Sequence, residues 1–240
     1  MFRSLALASV ASLLALTIGC SGSPDGASDS TDDAVTAKAD SFFVGMGPGV
    51  TGGVGVRVAN ATSTACVNGK KSSVCGVAGV DFAGLHLDTK TEGSIASAFA
   101  AGHVVVKGHI DAKSSTLVAS KAWLGAGTAD AQNLDQLYLV TFHIQSEMCM
   151  QGADCSGPRY NQVEVNVTKN AELVVNDVSL DGVGTKDDAA KGEDQMKIGA
   201  DGLLVLGHDV ALVSNHNAET TRTLLATNFF LPVAAGHTTY

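Results

Sequence analysis

One frame occurs twice in this chain: Val-x-Gly-His, a loop, then Thr-Leu-aliphatic-Ala-Ser/Thr-x-x-aromatic-Leu. Val106-Lys107-Gly108-His109 precedes Thr116-Leu117-Val118-Ala119-Ser120-Lys121-Ala122-Trp123-Leu124. Val205-Leu206-Gly207-His208 precedes Thr223-Leu224-Leu225-Ala226-Thr227-Asn228-Phe229-Phe230-Leu231. A unit written twice restricts the fold to architectures in which two similar pieces pack together. Upstream, residues 54–58 lead to Cys66 and Cys75 and then to residues 80–87. Residues 137–144 lead to Cys149 and Cys155 and then to residues 163–167. Each unit, about 52–125 and 137–233, therefore reads as strand, cysteine loop, strand, and a Gly-His hairpin ending on an aromatic strand.

The strands follow from alternation. Val163, Val165 and Val167 alternate with Gln162, Glu164 and Asn166, which predicts one buried and one wet face; Val54, Val56 and Val58 alternate in the same way. The strands ending on Trp123 and Phe230 are apolar on both faces, the mark of central strands. Val80 and Phe82 differ in parity from Leu85 and Leu87, which predicts a bulge at Ala83-Gly84. One short helix is expected over residues 94–101, with Ile95, Ala98 and Phe99 on one face and Gly102 as its stop. Gly and Val are abundant while helix-forming runs are scarce. The expected fold is mainly β and antiparallel: two pseudo-repeated units in a sandwich or barrel-like domain over residues 42–240, with at most one short helix.

The first 41 residues are a different material. Arg3 and a Leu/Ala-rich run to Ile18 read as a secretory signal over residues 1–19, too short to span a bilayer. Leu16-Thr17-Ile18-Gly19-Cys20 resembles a bacterial lipobox, which implies acylation at Cys20 and a membrane partner reached through that lipid; Ser21 resembles lipoproteins sent to the outer membrane. Residues 20–41 carry Asp25, Asp29, Asp32, Asp33 and Asp40 against Lys38, with almost no apolar surface to offset chain entropy. This segment is expected to be a disordered tether with a reach of about 25 Å.

A formal charge of −9 and the lack of a basic patch with interleaved aromatics exclude nucleic acid as a partner. With Cys20 acylated, Cys66, Cys75, Cys149 and Cys155 remain, an even number in a disulfide-permissive compartment. Three pairings are possible in principle; the local ones, Cys66 with Cys75 and Cys149 with Cys155, are expected, each closing a tight polar loop. Neither spacing fits the paired knuckles of a zinc site.

The order Lys38-Ala39-Asp40-Ser41-Phe42, Cys-x-x-Gly…Cys, Val80-Asp81-Phe82, Gly108 and Ala122-Trp123 resembles an uncharacterised domain family of secreted myxobacterial-type lipoproteins. The resemblance covers about residues 38–233 and implies secretion and a β-rich, disulfide-bonded domain. It implies no activity. A further cysteine loop common near the start of such domains is missing, since residues 43–53 hold no cysteine.

No nucleophile elbow, zinc-protease helix, phosphate loop or calcium-hand loop occurs. No catalytic, cofactor-binding or metal residue is assigned. The leading expectation is a non-enzymatic binding or structural module at the bacterial envelope, its partner unidentified. One alternative is a hydrolase, which requires His109, Asp111, His208 and Asp209 to converge. Another is an extracellular protease inhibitor presenting the Cys149/Cys155 loop. The acidic stretch 181–201 is expected to be an exposed hairpin loop, with calcium as the competing reading.

Overall fold

The computed structural model describes residues 40–49, 52–126, 136–143, 158–167, 172–213 and 220–233. The signal and tether segments, Cys20, Cys149 and Cys155 lie outside the described residues. The first half contains β1 (Ser41–Pro48), β2 (Val54–Val58), a small hairpin β3 (Thr64–Ala65) and β4 (Lys71–Ser72), β5 (Cys75–Val77), β6 (Gly79–Asp81), α1 (Thr89–Ala100), β7 (Val104–Asp111) and β8 (Thr116–Gly125). The second contains β9 (Leu137–Phe142), β10 (Tyr160–Glu164), β11 (Leu173–Val175), β12 (Asp177–Ser179), α2 (Lys186–Ile198), β13 (Leu203–Val213) and β14 (Thr220–Pro232).

One large sheet runs β11-β10-β9-β13-β14-β8-β7-β1-β2-β5, with β6 pairing parallel to β8 and β12 parallel to β14. The order is the same read outward from the centre in either direction. At the centre β8 meets β14 through Trp123↔Pro232, Leu124↔Leu231 and Gly125↔Phe230, a register symmetric about Leu124↔Leu231. The fold is mainly antiparallel β, sandwich-like and not a closed barrel.

The pairing fixes which strands correspond. β1 matches β9 and β2 matches β10, so residues 54–58 answer to 160–164 and not to 137–144. The structural unit of the first half therefore takes in β1. The two cysteine loops are not equivalent: Cys66 follows β3 and Cys75 opens β5, so the first loop connects β2 to β5, whereas Cys149 and Cys155 fall in sequence between β9 and β10.

The repeated Gly-His frame is a bulge. Lys107 pairs with Lys121 and Gly108 with Ala119, which leaves Ser120 as the extra residue; Leu206 and Gly207 skip Thr227 in the same way. A Cβ on Gly108 would lie 2.0 Å from the Val118 carbonyl oxygen, and one on Gly207 2.2 Å from that of Leu225. The extra residue's hydroxyl donates to the carbonyl before the glycine, Ser120 Oγ to Lys107 at 3.0 Å and Thr227 Oγ1 to Leu206 at 3.1 Å. Glycine and hydroxyl thus complete one device. The bulge expected at Ala83-Gly84 is instead a 3-10 turn over Ala83–Leu85, ending on His86 in the left-handed region. The chain reverses there toward α1, so the parity change needs no bulge.

Two helices form where one was expected. Asp88 caps α1 by accepting from Lys90 N and Thr91 N, and Gly102, at φ +82°, ends it. The acidic stretch 181–201 is largely α2 and not a hairpin loop. Thr185 and Asp188 form a reciprocal capping box, acids occupy the first turn and Lys197 the last, in accord with the helix dipole. The helices pack on the outer faces. Ile95 and Phe99 join Phe82, Val106, Leu117 and Ala122 in one core. Met196 joins Leu180, Val205, Leu224 and Phe229 in another. Size is exchanged between the halves. Ile95 of α1 shares its core with Ala122, whereas at the matching positions Gly192 of α2 lies so close to Leu180 and Phe229 that a Cβ would approach them to 2.6 and 3.2 Å.

The inner faces meet in a third core. Phe42, Val44, Ala59, Val105 and Trp123 of the first half pack with Leu137, Val165, Leu204 and Phe230 of the second. Two asparagines span it at matching positions, both left-handed: Asn60 at φ 56° and Asn166 at φ 61°. Asn60 donates to the carbonyls of Leu137 at 2.7 Å and Val165 at 3.0 Å and accepts from Gln136 N and Leu137 N. Asn166 donates to the carbonyls of Phe42 at 2.9 Å and Ala59 at 2.8 Å and accepts from Phe42 N. Each half thereby closes backbone groups of the other. β10 ends at Glu164, before Asn166 turns, so Gln162 and Val165 are both buried; the wet face expected for Gln162 is interior.

Gly108→Ala and Gly207→Ala are each expected to cost about 3 kcal/mol or more, since the added methyl meets backbone. Asn60→Ala and Asn166→Ala are each expected to cost about 3 kcal/mol, because several backbone groups lose their partner at once. Urea unfolding of the four variants measures both.

Candidate functional site

The outer face of the β8/β14 junction is left uncovered between the two helices. Leu124, Gly125, Ala126, Leu231, Pro232 and Val233 floor a groove of about 470 Å³ there. Thr91 and Ile95 of α1 form one wall; Asp188, Lys191, Asp194, Gln195 and Ile198 of α2 form the other. Ile198, at the end of α2, is 85% exposed, unusual for a large apolar side chain. The floor is apolar because Leu124 and Leu231 belong to the outward face of the central strands. The α2 wall is mostly polar.

Several wall groups already have structural tasks. Thr91 Oγ1 donates to Asp88 Oδ2 at 2.6 Å. The Asp188 carboxylate accepts from the Thr185 hydroxyl at 2.7 Å and the Thr185 amide at 3.0 Å, which holds it below the usual aspartate range. Gln195 Nε2 donates to the Gly202 carbonyl at 3.3 Å. Asp194 is exposed on the rim.

The histidine–aspartate pairs do not converge. His109 pairs with Val118 on β8 and His208 with Leu225 on β14, each six residues from the central Leu124↔Leu231 pair and in opposite directions. Roughly 40 Å of strand path separates them at 3.3–3.4 Å per residue. Asp111 is occupied in its own hairpin, where it accepts from Ser114 Oγ at 2.7 Å and from the amides of Lys113 and Ser114; the Ser114 hydroxyl is the main cause of its lowered pKa. Asp209 is ion-paired with Arg222, and this bond raises the guanidinium's pKa. The four residues are therefore two hairpin fittings and not one site.

A Ser/Asp/His cluster not anticipated from the sequence does form. Asp40 Oδ2 lies 2.7 Å from Ser120 Oγ and shares that hydroxyl's single proton with the Lys107 carbonyl, and Asp40 Oδ1 lies 3.3 Å from His109 Nδ1. The serine faces the carboxylate and the Lys107 carbonyl, not the imidazole, so the serine–histidine contact of a catalytic triad is not made. The cluster attaches the residue before β1 to β7 and β8. Among the described residues no group of three His, Cys, Asp or Glu side chains is arranged to hold a metal ion. Within 181–201, Glu193 pairs with Lys197 at 3.6 Å and Asp201 with Lys121. Cys66 and Cys75 are disulfide-bonded.

A family model described as Domain of unknown function (DUF6748) matches residues 46–236. The chain belongs to this family. The matched span runs from β1 past β14, so the DUF6748 unit is the pair of halves and includes the groove between their helices. No curated protein and no solved structure matches the chain.

The groove residues left little trace in the sequence. Asp188, Lys191, Gln195 and Ile198 share one helical face at spacings of three and four, but that face is polar until its last member, so no apolar periodicity marks it.

Asp88, Asp111 and Asp188 all titrate below the usual aspartate value, each held chiefly by a neighbouring hydroxyl: Thr91, Ser114 and Thr185. A depressed folded pKa contributes stability that is complete above the unfolded value, about 3.9, and lost as pH falls through the folded one. Hydrogen exchange at the first turns of α1 and α2 and in the β7–β8 hairpin is expected to stay protected at pH 5. It is expected to accelerate, after correction for intrinsic rate, as pH falls below the unfolded aspartate value of about 3.9 and through the lower folded ones.

Proposed function

We propose that this DUF6748 protein is a lipid-anchored envelope protein whose domain is a non-catalytic binding module. Its ligand is a small, mainly apolar molecule with one polar or charged end, held in the groove between α1 and α2. The groove carries this reading. Its volume lies in the range of small-ligand sites, its floor is apolar, and its charged groups are confined to one wall. The signal-like leader, the lipobox-like Leu16-Thr17-Ile18-Gly19-Cys20 and the acidic segment after it support acylation at Cys20 and display of the domain at the membrane. The separation of His109 and Asp111 from His208 and Asp209 favours binding over hydrolysis.

Two measurements test the two parts. Binding of the neutral apolar dye Nile red, followed by fluorescence, is expected to be saturable in the unmodified protein. Ala126→Trp, which fills the floor, is expected to lose it at least ten-fold, and Ile198→Asp, at an exposed lip, several-fold with unchanged stability. Dye binding unaffected by both variants would rule out the groove. Intact mass of membrane-extracted protein is expected to show a chain starting at acylated Cys20. It should rise by about 4 Da on reduction if all four remaining cysteines are paired.

A further inference from the structure

Charge is unevenly shared between the halves. Residues 41–80 contain Arg57, Lys70 and Lys71 and no Asp or Glu, while residues 81–240 contain ten Lys and Arg against nineteen Asp and Glu. The matching wing of the second half, residues 136–178, carries Arg159 and Lys169 against five carboxylates. The basic excess is thus a property of one wing, β1 to β5, in an otherwise acidic chain.

That wing ends in a rigid tip. The Cys66–Cys75 disulfide closes it, and β3, just before Cys66, pairs with β4 within the closed loop through Thr64↔Ser72 and Ala65↔Lys71. The turn is held by Cys66 N to the Lys70 carbonyl at 2.8 Å, Gly69 N to the Cys66 carbonyl at 2.9 Å and Lys70 N to Asn68 Oδ1 at 3.0 Å. Its base is anchored by buried Thr64, whose Oγ1 accepts from Val58 N at 2.9 Å. Residues 68–74, with Lys70, Lys71 and the apolar Val74, are all exposed. The tip leaves β2 beside the point where the chain enters β1, since Ala59 N donates to the Phe42 carbonyl at 2.9 Å and Asp40 precedes β1 directly. A domain tethered through its N-terminus therefore carries this tip on its anchored side.

We infer that the Cys66–Cys75 tip is a membrane-facing contact that binds the phosphate headgroups of anionic lipids through Lys70 and Lys71. The orientation part of this inference rests on the anchoring at Cys20 proposed above; the headgroup contact does not. Preformed by disulfide and hairpin, the tip loses little freedom on contact. The acidic remainder of the domain is repelled by the same surface, so the charge asymmetry sets which wing faces the lipid. The anchor supplies a high effective concentration, so a weak contact suffices.

The test uses the full mature chain with Cys20→Ser, which removes acylation and reads the headgroup contact alone. Sedimentation is compared with vesicles of phosphatidylcholine and of phosphatidylcholine mixed with phosphatidylglycerol, at low ionic strength. Binding is expected only to the mixed vesicles and is expected to vanish at high salt. Lys70→Gln/Lys71→Gln is expected to lower partition about 25-fold, about five-fold per charge. Lys90→Gln/Lys113→Gln, with the same net charge, is expected to lower it little. Equal binding to both vesicles, no binding to either, or equal loss in the two double variants would overturn the inference. Binding to heparin but not to vesicles would overturn the lipid assignment in favour of a polyanion. An intact mass without acyl chains would defeat the anchoring proposal while leaving the vesicle result to stand or fall by itself.

Discussion

The inner core between the halves is the constraint on which the rest of the structure depends. Each half-sheet is apolar on two faces, and a helix can cover only one. The other must find a partner, and the matching face of the second half is the one available. The ladder that joins them, three residue pairs between β8 and β14, is too short to hold two sheets in register unaided. Burial of Phe42, Trp123, Leu137 and Phe230 supplies the attraction, and Asn60 and Asn166 supply the register. An asparagine amide that meets several backbone groups at once tolerates no slip, because a slip would strand buried donors and acceptors.

This arrangement explains why the two Gly-His frames do not meet in one site. An antiparallel junction sends equivalent residues to opposite ends, so duplicated hairpins lie far apart by construction. Residues that a duplicated fold brings together are those near the symmetric pair, and there the chain places Leu124, Leu231 and the groove. Function is then to be sought where the halves differ. α1 meets the sheet with Ile95 and α2 with Gly192, and the α2 wall of the groove is polar. The first wing is basic and disulfide-closed, and its counterpart is acidic.

Much of the fold was legible in the residues. The two frames marked β7–β8 and β13–β14, Gly102 marked the end of α1, and the spacing of Cys66 and Cys75 suited a local bond. What was misread shares a cause. The helix α2 carries four acids, three lysines and a mid-helix glycine, so apolar periodicity is absent; its capping box at Thr185 and Asp188 is the signal available. The correspondence of cysteine loops failed because short Val-rich strands resemble one another, and only pairing partners identify them. The bulges were hidden in the very motif that announced the repeat: glycine, histidine and a later hydroxyl act together across two strands, and a linear pattern does not show that Ser120 lies over the Lys107 carbonyl.

By itself the sequence determined that the domain is mainly antiparallel β, with a frame that occurs twice, apolar central strands and a stretch, residues 41–80, without carboxylates. These are properties of alternation, composition and short spacing, which act between neighbours in the chain. Only the tertiary structure decided that the halves join at Leu124 and Leu231, that Asn60 and Asn166 close each other's backbone, that His109 and His208 stand apart, and that a groove opens between α1 and α2. Those follow from long-range pairing, where burying two apolar faces together selects a register that no local pattern records.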